Sequence, residues 1–147
     1  MKKLLTTMAL VGAMSVAAVC SAAGEGATLT KLQKSAEAFT AGATGQGAYA
    51  TATVGVAPEL KAKLTATAFK GLQDKIAAQL GTPKEITFRA FEHFKDADRV
   101  IYFGSFSKEK VVAIHYIFNP QGQMASFAFA PIKPAPAKSA PSQPAKK

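Results

Sequence analysis

Apolar residues recur every third or fourth position up to Gly81 and every second position from Ile86 onward, so helices come first and strands follow. Leu32, Ala36, Phe39 and Ala43 form the first stripe. Thr30-Lys31-Leu32-Gln33 has the spacing of a capping box, so an amphipathic helix is predicted from there to about Gly42. A second stripe runs through Leu60, Leu64, Ala68, Leu72, Ile76 and Leu80, widened by Phe69. Pro58 suits the first turn of that helix, Thr65 is an N-cap that divides it, and Gly81 and Pro83 end it. Between the stripes, the Gly- and Thr-rich stretch from Gly42 to Gly55 has weak helical propensity and reads as a loop or a short helix around Tyr49.

Four runs of β-branched and aromatic residues follow, at about 85 to 94, 98 to 107, 110 to 118 and 123 to 130. Their short connections predict an antiparallel meander. Asn119-Pro120-Gln121-Gly122 fits a type I turn closed by a glycine bulge. Helices followed by one block of strands indicate an α+β domain.

Each tight turn fixes which residues pair and therefore which share a face. The last turn predicts Phe118 opposite Met124 and His115 opposite Phe127. An even-numbered turn at Ser107 to Lys110 predicts Phe106 opposite Val111 and Tyr102 opposite His115. A four-residue turn at Lys95 to Asp98 predicts Phe94 opposite Arg99 and Phe91 opposite Tyr102. The expected core face then holds Ile86, Phe88, Ala90, Ile101, Phe103, Val112, Ile114, Tyr116, Phe118 and Met124. The other holds Arg89, Phe91, His93, Tyr102, Phe106, Val111, His115, Ile117, Phe127 and Phe129, and is too apolar for a face left to water. The row Phe91, Tyr102, His115, Phe127, with Arg89 and Phe129 beside it, is the candidate ligand-binding or interface site. It reads either as the wall of a pocket for a small apolar or amphipathic ligand or as a homodimer interface or a seat for the C-terminal tail, and exposed aromatic sheet faces favour association.

The two ends of the chain set its compartment. Lys2 and Lys3 precede an apolar run from Leu4 to Cys20 and the small residues Ser21-Ala22-Ala23, the layout of a signal peptide over residues 1–23. Export to the periplasm or medium is expected. Cys20 is a candidate for lipidation, although Val16 to Val19 before it make a poor lipobox; membrane contact is expected only through the signal or such an anchor. The folded part, 24–132, contains no cysteine, and 133–147 is a Pro-, Ala- and Lys-rich tail with the composition of a disordered segment. Of a formal net charge of +9, much resides at Lys2, Lys3, Lys133, Lys138, Lys146 and Lys147. The domain itself is only slightly basic, which argues against nucleic-acid binding.

Two stretches carry a resemblance: GAYATATVGVAPELKAKLTATAFKGLQDKIAAQLG and VVAIHYIFNPQGQMASFAFAP. With helical stretches ahead of a four-stranded meander, the chain resembles a secreted bacterial family of unknown function within the nuclear transport factor two-like, cystatin-like cone superfamily. That resemblance implies N-terminal helices packed on a curved four-stranded sheet, frequent homodimers, and a cavity that binds small molecules or supports proton transfer. It transfers no catalytic residue, because the matched positions are packing and turn residues.

An isomerase or dehydratase on that scaffold would need His115 and Tyr102 to act together in a cone cavity, with His93 and Glu92 as further candidates. No stretch displays an assembled hydrolase triad. Two histidines on separate strands and no cysteine fall short of a metal-ligand set, and no motif calls for a cofactor. The sequence thus favours a non-catalytic exported module, with the enzyme as the alternative.

Overall fold

The computed structural model describes residues 16–133, with side chains from 26 onward. The first fifteen residues of the expected signal, the side chain of Cys20 and the tail from 134 lie outside the described residues. Helices α1 (Val16–Ala43), α2 (Tyr49–Ala52), α3 (Pro58–Lys63) and α4 (Ala66–Gln79) precede strands β1 (Pro83–Phe94), β2 (Ala97–Phe106), β3 (Val112–Phe118) and β4 (Met124–Pro131). The strands form one antiparallel sheet in the order β1-β2-β3-β4. The fold is therefore α+β, with N-terminal helices on an open four-stranded meander. Among the described residues no helix is long and apolar enough to cross a membrane.

Local chemistry explains most boundaries. Pro58 opens α3, and the Thr65 side chain accepts from the Ala68 amide at 3.2 Å to cap α4. Gly81 takes φ +82 after the last turn of α4, a left-handed position that glycine adopts without strain. Thr30 does not start a helix: α1 runs through it, and its hydroxyl donates back to the Gly26 carbonyl at 2.9 Å. The weak segment after Gly42 yields the single turn of α2, tied down where the Tyr49 hydroxyl donates to the Leu64 carbonyl at 2.7 Å. In the last turn the Asn119 side-chain oxygen accepts from the Gln121 and Gln123 amides, and Gly122 takes φ +73, as the turn composition predicts.

The pairings correct the expected faces. Tyr102 pairs with Ile114, and His115 with Ile101. Seven residues separate the last β2–β3 pair, Gly104 and Val112, an odd number where an even one was expected. That loop is shaped by the helix behind it. The Ser107 amide donates to the Thr82 carbonyl and the Lys108 amide to the Leu80 carbonyl, each at 2.9 Å, and Lys108 Nζ reaches the Ala78 carbonyl at 2.8 Å. These bonds satisfy carbonyls at and just beyond the end of α4 that would otherwise be left open.

Two bulges and a shorter turn complete the correction. Phe118 pairs with Met124 as expected, but the register then slips, so Tyr116 meets Phe127 and His115 meets Ala128. The slip occurs where Met124 turns its backbone toward a second neighbour, donating to the Gly55 carbonyl at 2.8 Å and accepting from the Ala57 amide at 2.9 Å. A two-residue turn, Lys95-Asp96, joins β1 to β2, and a bulge at Arg89 separates the Phe88–Tyr102 and Ala90–Ile101 pairs. A one-residue slip exchanges the faces of a strand. Tyr102, Phe106, Phe91, Phe127 and Phe129 therefore turn toward the helices, while Ala90, Ile101 and Phe103, expected in the core, turn away from them.

Phe39 of α1 is the hub of the core. Its ring lies 4.6 Å from Phe127, 5.6 Å from Phe69 and 6.0 Å from Tyr116, centroid to centroid, so one side chain joins α1, α4, β3 and β4. Thr40 donates to the Ala36 carbonyl at 2.7 Å, which leaves Tyr116 to donate to Thr40 at 2.5 Å. The Tyr102 hydroxyl is buried with no hydrogen-bond partner among the described residues.

These two tyrosines make stability pH-dependent. Burial, then the Glu37 carboxylate, pushes the Tyr102 hydroxyl from 10.0 up to about 12. Burial also pushes Tyr116 up, outweighing the opposite effect of its Thr40 bond. A raised folded value means that the folded state holds its proton while the unfolded chain loses it. Stability is then fully present below pH 10 and falls through the alkaline range, by about 1.4 kcal/mol per pH unit for each tyrosine. Denaturant titration should find Tyr102→Phe more stable than wild type at neutral pH by about 1 kcal/mol, since phenylalanine needs no partner. Tyr116→Phe should be less stable by a similar amount, and both should flatten the alkaline loss. Equal midpoints for the two variants would contradict these assignments.

Candidate binding face

All the helical packing described above lies on one side of the sheet, and among the described residues the other side carries no layer. Its surface is built from alternate residues: Ile101 and Phe103 of β2, Ala113, His115 and Ile117 of β3, and Ala128 and Ala130 of β4. The bulge in β1 adds Arg89 and Ala90 to the same side, because the extra residue lets two neighbours point one way. Beyond β4, the Ile132 amide donates to the Val111 carbonyl at 2.8 Å, which holds the Ile132 side chain at the edge of the face.

An open depression of about 490 Å³ lies at the centre, floored by Ala90, Ile101, Phe103 and Ala113 and edged by Arg89, His115 and Ile132. The Arg89 guanidinium stands 5.4 Å from the centroid of the Phe103 ring, a cation–π contact that lays the charge along the apolar surface. A smaller notch of about 170 Å³ adjoins it through Arg89 and Phe103 and adds Glu85, Thr87, Ser105 and Lys110. At the hairpin end, Arg99 pairs with Glu92 and lies 5.4 Å from the Phe94 ring. His93 Nδ1 and Asp98 Oδ1 are 2.6 Å apart, with His93 76% exposed.

The six expected site residues are divided by this geometry. Arg89 and His115 share the depression. Phe91, Tyr102, Phe127 and Phe129 belong to the opposite side, where Tyr102 is buried and the three phenylalanines pack partly buried against the core. Tyr102 and His115 point to opposite sides of the sheet, so they cannot act on one substrate atom. Among the described residues, no three side chains of the metal-ligating types come together. The residues of this face that were expected in the core are Ala90, Ile101 and Phe103. The alternation Ile101-x-Phe103 and Ala113-x-His115-x-Ile117 signals a shared face, and only the β2–β3 register decides which face it is.

No family model, no curated protein and no solved structure matches the chain. The site is therefore read from its own chemistry. Apolar and small residues fill its middle, Arg89 lies among them over Phe103, and Lys110 and the Glu92–Arg99 pair stand at its margins, an apolar centre with a polar rim and one cation inside it.

Proposed function

We propose that this is an exported, non-catalytic association module on a cone-like scaffold of the nuclear transport factor two-like kind, and that it dimerises by packing the open sheet face against the same face of a second copy. The observation that carries this reading is the side of the sheet that no described element covers, where Ile101, Phe103, Ala113 and Ile117 lie among small residues while α1 to α4 pack on the other side. Face-to-face sheets pack about 10 Å apart when their side chains interdigitate. The alternation of Ile101 and Phe103 with Ala113, Ala128 and Ala130 leaves hollows for bulk from the partner.

The dimensions suit that partner. At about 4.8 Å between strands and about 3.3 Å per residue, the face measures roughly 19 by 25 Å, a footprint of roughly 500 Å² per copy before relief is counted. Two copies together reach the roughly 1,000 Å² that a specific interface needs. A lone copy suits a small ligand less well, because ligand sites bury about 70–90% of what they hold and this depression is open along one side. Export rests on the leader-like residues 1–23, and the non-catalytic reading rests on the separation of Tyr102 from His115.

Sedimentation velocity over a dilution series tests the reading. The purified chain should shift reversibly from a dimer at high concentration toward the monomer on dilution. A single monomeric species at every concentration would overturn it.

A further inference from the structure

The charges on this face do not cancel when it meets itself. The depression contains Arg89 and His115 and is lined by no carboxylate, while the adjoining notch adds one cation, Lys110, and one carboxylate, Glu85. Glu92, the other acid on this side of β1, is already paired with Arg99. The ion pairs among the described residues are Lys70–Asp74, His93–Asp98 and Arg99–Glu92, so neither Arg89 nor Lys110 has an acidic partner. A two-fold interface repeats whatever one copy presents, so pairing brings a second excess of positive charge to the first and removes both from water. A cation buried without a counter-charge opposes association.

We infer that the dimer closes around a single-chain amphipathic anion on each copy, whose head meets Arg89, with Lys110 and His115 near it, and whose apolar chain lies along Ile101, Phe103 and Ala113. This rests on the dimer reading and adds the ligand class to it. The depression of about 490 Å³ falls within the roughly 300–1,000 Å³ of small-molecule sites, and the second copy supplies the cover that one copy lacks. The anion neutralises the interface, and closure of the interface buries the apolar chain, so the two events reinforce each other. Chain and charge are both required: an anion without a chain leaves the hollow unfilled, and a chain without a charge leaves Arg89 uncompensated.

Sedimentation of the purified chain with sodium decanoate, with decyl maltoside below its micelle concentration, and with sodium acetate separates these contributions. Decanoate is expected to tighten dimerisation by roughly tenfold or more, and each of the others by less than about twofold. Arg89→Gln should abolish the decanoate response, whereas Lys70→Gln, which removes an equal charge from the exposed surface of α4, should retain it. A neutral surfactant that matches decanoate, or a full response in Arg89→Gln, would overturn the inference. A tight dimer indifferent to decanoate would overturn it while leaving the dimer reading intact. A monomer under every condition would remove both.

Discussion

Ala128→Arg weakens self-association by roughly 100-fold, about 2.7 kcal/mol, without lowering the melting temperature of the monomer. Ala128 is exposed on β4 and pairs with His115 at the edge of the central depression. In the free chain an arginine there extends into water and touches nothing in the core. In the dimer it occurs twice, fills a hollow meant for partner bulk, and adds to the excess positive charge of Arg89. Sedimentation of the variant measures the loss, and circular dichroism at dilutions where both proteins are monomeric checks the fold. Equal dimerisation of variant and wild type would mean that another surface carries the contact. A large fall in the monomer's melting temperature would mean that Ala128 has a role within one chain that its exposure does not suggest.

Phe39→Ala lowers the stability of the fold by about 3–5 kcal/mol. The ring is wholly buried and joins Phe69 of α4, Tyr116 of β3 and Phe127 of β4. Its removal leaves a cavity where α1 meets the sheet, and the rigid rings around it cannot collapse to fill the space. A loss of that size is a large fraction of the stability of a domain this small, so the denaturation midpoint moves far or the variant fails to fold. Phe39→Leu keeps part of the volume and should lose less. Chemical denaturation of both variants measures the difference, and near-equal midpoints for Ala and wild type would show that Phe39 is not the hub that its contacts suggest.

The elements themselves could be read from the chain because their signals are local. Pro58, Thr65 and Gly81 punctuate α3 and α4, and Asn119 and Gly122 fix the last turn through bonds within a few residues. The faces could not, because each depends on a contact between segments far apart in sequence. The β2–β3 loop takes its odd length from its bonds to Leu80 and Thr82, and the slip in β4 follows from the pairing of Met124 with Gly55 and Ala57. The bulge at Arg89 leaves no mark in the alternation around it. Three such steps moved the aromatic row into the core and left only Arg89 and His115 of the expected site on the open side. The chemistry of the site changed accordingly, from a tyrosine beside a histidine to a guanidinium cation and a histidine on an apolar floor. The start of α1 shows the same limit, since Thr30 has the residues of a cap but lies within a continuous helix.

If two copies meet at the open face of the sheet, the two histidines differ in accessibility within one molecule. His93 is 76% exposed at the hairpin tip, whereas His115 lies at the edge of the apolar depression. Acylation by diethylpyrocarbonate, followed site by site by mass spectrometry across a dilution series, should find His93 reactive at every concentration and His115 reactive only where the chain is diluted to monomer. His115 reacting at the same rate at all concentrations, in samples that sediment as dimers, would place the contact on another surface.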